Sequence, residues 1–141
     1  KNVETKVASF NIQREMLRDD IAYQEYAMGL YDETSKAYRD HAGEKLKLVQ
    51  EQLKWHEEEL AMLEKEKIAN KNLTNAQINE INELIRTQRE AVWDMAEMVR
   101  EIETLIANSK LDEYLYKATS ESEKYADKIS EIQDKIKYET S

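Results

Sequence analysis

Apolar residues recur at alternating spacings of three and four along almost the whole chain. A first stretch runs through Val3, Val7, Phe10, Leu17, Ile21, Met28, Tyr31 and Tyr38, with Arg14, Gln24 and Ser35 in the remaining slots. A second runs through Leu46, Val49, Leu53, His56, Leu60 and Leu63. The third is the most regular: Ile78, Ile81, Ile85, Gln88, Val92, Met95, Val99, Ile102 and Ile106. The fourth takes Leu111, Leu115, Ala118, Ser122, Tyr125, Ile129, Ile132 and Ile136. A 3,4 spacing held over several heptads is the mark of helices packed along an apolar seam. The pattern predicts an all-α protein with helices over about 3–41, 44–69, 75–107 and 111–138.

The polar interruptions set the topology. Asn70 to Gln77 reads NKNLTNAQ, in which Thr74 and Gln77 stand at the spacing of a capping box. The threonine hydroxyl accepts from the N3 amide and the glutamine side chain returns to the cap amide. One helix therefore ends near Ala69 and another begins after Thr74, and so short a link requires antiparallel neighbours. Weaker breaks fall at Asp40 to Gly43 and at Asn108 to Lys110, where the heptad phase slips, either as a local change of winding in one long helix or as a real bend.

A turn centred near Leu73 sets Leu63 against Ile81, Leu60 against Ile85, Leu53 against Val92 and Val49 against Met95. Continued outward, the register pairs Met28 with Leu115, Leu17 with Tyr125, Phe10 with Ile132 and Val7 with Ile136. These pairings predict one long antiparallel helical hairpin or coiled coil, forming a single domain. The alternative is an up-down four-helix bundle folded at Gly43 and Ser109.

Within the hairpin register, His56 faces Gln88, the one polar seam residue of the third stretch. Together they form an expected buried polar layer, a device that fixes register at some cost in stability. The segment KWHEEEL, Lys54 to Leu60, also opens like a zinc-protease helix, but Leu60 stands where the second histidine is needed. The residues three before His56 and His41 are Leu53 and Tyr38, so the Glu-x-x-His spacing of di-iron bundles is missing as well. Glu57, Glu58 and Glu59 read as a fan around the helix that does not converge. The expectation is no catalytic residue, no metal and no cofactor.

A second apolar stripe lies beside the seam. It comprises Met16, Tyr23, Leu30 and Ala37 on the first stretch, and Leu48, Trp55 and Met62 on the second. Leu84, Ala91, Met98 and Leu105 continue it on the third. Two helices need one seam, so a wider face calls for another helix. The stripe is expected to be a lateral interface for a second copy of the chain or another protein subunit.

Composition narrows the partners. The 141 residues include no proline, no cysteine and two glycines, 36% are charged, and the formal net charge is −9. Interspersed charge with an acidic balance argues against nucleic acid, whose phosphates require clustered Lys and Arg. No apolar run approaches the length of a membrane span, and no phosphate loop or nucleophile set points to a small-molecule substrate. The chain begins with Lys1 and the helical pattern reaches both ends, as expected of a piece of a longer chain.

Two segments, YRDHAGEKLKLVQEQLKWHEEELAMLEKE and LTNAQINEINELIRTQREAVWDMAEMVREIE, resemble helical parts of tape measure proteins from the tails of phages that infect Gram-positive bacteria. The resemblance implies a structural, oligomeric protein that helps set tail length. It assigns no functional residue, and it places the chain in a virion tail; a bacterial cytoplasmic location is the other expectation.

Overall fold

A computed structural model describes residues 3–140; Lys1, Asn2 and Ser141, to which the helical pattern is expected to extend, lie outside the described residues. The protein is all-α. Helix α1 spans Val3–Met28, α2 Lys36–Ala69 and α3 Asn75–Thr140. Helix α2 packs antiparallel between α1 and α3, and α3, at 66 residues, is about 100 Å long at 1.5 Å per residue.

The α2–α3 turn follows its local chemistry. Thr74 N–H donates to Gln77 Oε1 at 2.9 Å and Gln77 N–H donates to Thr74 Oγ1 at 3.2 Å. This reciprocal pair satisfies two amides that the first helical turn leaves open. Beyond the turn, Leu63 clusters with Ile81 and Ile85, and Val49 lies in a cluster with Ile102 and Met95.

The other reversal lies at 29–35, where the apolar spacing alone predicts continuous helix. Gly29 N–H is shared between the carbonyls of Glu25 and Tyr26, and a Cβ on Gly29 would sit 3.3 Å from the Tyr26 oxygen. Asp32 Oδ1 then accepts from the Thr34 amide at 2.9 Å and its hydroxyl at 2.7 Å, a side-chain turn that competes with helix. Ser35 caps α2, its hydroxyl accepting from Tyr38 N–H at 3.1 Å.

The four-helix division at Gly43 and Ser109 is not there: Gly43 lies within α2 and Ser109 within α3, so each phase slip falls inside a continuous helix. A glycine inside a helix costs about 1 kcal/mol relative to alanine, and its neighbour Ala42 is fully buried. The outer half of the long hairpin is replaced by a third packed helix. Phe10 meets Trp55 edge-on at 5.9 Å rather than Ile132, and Met28 packs on Tyr38 and Ala42 rather than Leu115. Leu17 is buried while Tyr125 stays exposed, and Val7 joins the Leu63 cluster instead of meeting Ile136.

Candidate functional site

Two features of the molecule have chemistry to offer: a buried polar layer within the bundle, and the part of α3 that extends past it. The layer begins with His56 on α2. Its Nδ1 lies 2.7 Å from Gln88 Oε1 on α3, so the ring N–H donates to the amide oxygen. Both side chains are buried.

One turn along α2, Glu59 is fully buried. It accepts a hydrogen bond from the guanidinium of Arg14 on α1, which also donates to Asn11 Oδ1. Glu59 Oε2 is buried with no hydrogen-bond partner among the described residues. The fan of glutamates read from KWHEEEL therefore holds for Glu57 and Glu58, which are exposed, and not for Glu59.

The Arg14–Glu59 pair belongs to a ladder between α1 and α2. Lys6 pairs with Glu66, Arg14 with Glu59, and Lys45 with Glu25 at 3.2 Å. Glu59 and Glu66 are spaced one heptad apart with Gln52 and Lys45, so they form a polar flank that α1 covers. A second histidine–glutamine bond joins the same helices, His41 Nδ1 to Gln24 Oε1 at 2.8 Å, with Tyr31 stacked on the His41 ring.

Burial pushes the His56 pKa below its ordinary 6.5, an effect the hydrogen bond to Gln88 opposes. Arg14 and Arg18 push in the same direction as burial, and Glu59 pushes against it. A depressed histidine pKa means that the unfolded chain binds the proton more readily. Its stabilising contribution is present above pH 6.5 and is lost as pH falls through the folded value. Denaturant titrations should therefore show stability declining as the pH drops below about 6.5. His56→Gln should flatten that decline. Glu66 is held below its usual 4.5, chiefly by its hydrogen bond from Lys6, so its contribution is lost at more acid pH and does not mask the histidine.

The proposed lateral stripe divides in two. Leu48, Trp55, Met62, Leu84, Met98 and Leu105 are half-buried within the bundle. Leu48 and Met98 pack on the Ile21 cluster, Leu105 on the Met28 cluster, Met62 and Leu84 on the Leu63 cluster, and Trp55 on Phe10. Helix α1 of the same chain thus covers part of this stripe. Met16, Tyr23 and Leu30 point the other way and stay exposed, joined by Ile12 and Tyr26 on the outer face of α1.

The bundle closes around Arg39. Its guanidinium donates to Thr34 O at 2.8 Å and to Ser109 Oγ at 3.3 Å, and pairs with Glu113 at 3.0 Å. Ser109 in turn donates to Glu33 O. Among the described residues, none of the apolar clusters includes a residue past Ile106. From 114 onward α3 continues as an arm of about 40 Å at 1.5 Å per residue, on which Leu115, Tyr125, Ile129 and Ile132 are 51%, 69%, 40% and 56% exposed.

The phase slip near Asn108 has its cause here. Ser109 and Glu113 continue the seam that faces the bundle, whereas Leu111 and Leu115 stand two residues further on. At 3.6 residues per turn that is a rotation of about 200°. The stripe on the arm therefore looks away from α2.

Among the described residues, no group of three or more His, Cys, Asp or Glu is placed to hold a metal ion. No described helix is long and apolar enough to cross a membrane. No protein-family model matches the chain, and no solved structure matches it.

Proposed function

We propose that this chain is a non-enzymatic structural element that mediates assembly of a larger protein complex. The bundle serves as a rigid body and the arm as its association surface. The observation that carries the reading is the arm itself: a heptad stripe with large apolar residues about half exposed, on a helix that has left its own core. An isolated helix in water draws little stability from propensity alone, and packing of its apolar face supplies most of it. A contiguous stripe of this kind is an association site. The tape measure is the more specific form of the same reading, supported by the likeness of the two quoted segments.

Light scattering on the full chain tests it. The protein should be larger than a monomer, and Ile129→Glu with Ile132→Glu should return it to monomer with the bundle still folded. A full chain that is monomeric at every concentration overturns the proposal.

A second reading, a module that binds another protein subunit through its side, is favoured by the exposed Met16 and Tyr23 on α1 and Leu30 just past its end. On that reading Tyr23→Glu, not the arm substitutions, abolishes assembly.

A further inference from the structure

The arm is a coiled-coil strand whose residues specify both partner and direction, and we infer that it pairs antiparallel with the arm of a second copy of this chain, with Leu115 facing Ile132 and Ser122 facing Tyr125. This rests on the assembly reading above and names its partner.

Heptad positions follow from the 3,4 spacing. Leu115, Ser122, Ile129 and Ile136 take position a; Leu111, Ala118, Tyr125 and Ile132 take position d. A parallel pair would stack each residue on its own copy. The Ala118 and Ser122 layers would be hollow, and the next layer would force two Tyr125 rings together. Underfilled and overfilled layers both destabilise a packed seam.

In the antiparallel pair each a residue meets a d residue. Ala118 then faces Ile129 of the second copy, Ser122 faces Tyr125, Leu115 faces Ile132 and Leu111 faces Ile136. The two small residues each meet a large one, and the outer layers join two branched aliphatics. Sliding the arms by one heptad sets Leu115 against Glu139 in one direction and Ile136 against Thr104 in the other. Only the central register fills every layer.

Charge agrees with size. Beside the seam, position g holds Tyr114, Glu121, Lys128 and Lys135. In an antiparallel pair g residues flank g residues, so Glu121 of each copy lies beside Lys128 of the other. The parallel arrangement sets Glu121 beside Ala126 and Lys128 beside Gln133, with no ion pair. The position-e residues Asp112, Thr119, Ala126 and Gln133 introduce no like-charge contact in the antiparallel register. The bundles do not obstruct it: the stripe faces away from α2, and the tip of the second arm ends beside exposed Asn108.

Because the chain has no cysteine, single cysteines report the geometry directly in the full protein. Ala118→Cys and Ile129→Cys proteins, each purified and then mixed, should form a mixed disulfide several-fold more readily than either forms with itself. Cysteines whose Cα atoms lie more than about 7 Å apart cannot bridge. Self-linking of Ala118→Cys would show a parallel pair and overturn the inference.

Spin labels at Asp127 and Asp134, both exposed, give a second measurement that leaves the seam intact. Antiparallel arms offset the two labels by about 10 Å along the axis at 127 and about 30 Å at 134. Equal distances at the two sites, in a protein that still associates, defeat the antiparallel pairing and leave the assembly reading standing. A monomer with no interchain distance defeats both.

Discussion

Arg14→Met should cost the bundle about 3–5 kcal/mol, the usual penalty for removing one partner of a buried ion pair. The reason is what remains. Glu59 is fully buried and its Oε2 already has no hydrogen-bond partner among the described residues. Without the guanidinium, the carboxylate loses its counter-charge in a place where water cannot replace it. Against a typical total stability of about 5–15 kcal/mol, that is enough to weaken the hold of α1 on α2. Urea unfolding followed by circular dichroism measures the loss. The double variant Arg14→Met with Glu59→Leu should recover most of it, because burying two charges is itself expensive and a matched apolar pair avoids the cost. A double variant as unstable as the single one would mean that shape at this position, not charge, holds the helices together.

The same pair shows where the sequence is legible and where it is not. The turn at Thr74 is written in local chemistry, a cap and its reciprocal glutamine, and the apolar register of α2 on α3 follows from it. His56 and Gln88 can be placed at one level because each is the odd residue of its seam. The partner of α1 cannot be read that way. A heptad seam repeats every seven residues, so Ile21 matches Val49 on α2 as well as Phe10 matches Ile132 on the arm.

The deciding signals are polar. One is the stop at Gly29, Asp32 and Ser35, which periodicity reads through because the apolar spacing survives it. The other is the charge ladder of Lys6, Arg14 and Glu25 against Glu66, Glu59 and Lys45. Glu59 escapes detection because a glutamate among glutamates reads as surface. Its burial becomes visible only once a basic residue on another helix is set opposite. The lateral stripe is a sound sign of a third helix, but periodicity does not tell whether that helix belongs to the same chain.

Leu63→Ala should be the most costly purely apolar truncation, at about 2–5 kcal/mol. Leu63 has no exposed surface and gathers Ile81 and Ile85 from α3, with Val3 and Val7 of α1 packed against the same cluster. The side chain is thus a contact point for all three helices, and shortening it removes transfer energy and leaves a cavity that only partial collapse can fill. Ile68→Ala, five residues along the same helix, supplies the control. Ile68 is 80% exposed, so its loss should stay within about 0.5 kcal/mol. The contrast separates helix propensity from packing, since both changes put alanine in place of a branched aliphatic residue near one end of α2. If thermal unfolding gives similar losses at the two positions, α1 does not close over the hairpin end. The Lys6–Glu66 pair, which sits at that same end, would then be a surface contact with little hold on the helix. A large loss at Leu63 alone shows that the start of α1 is anchored by burial, with the charge ladder setting its register.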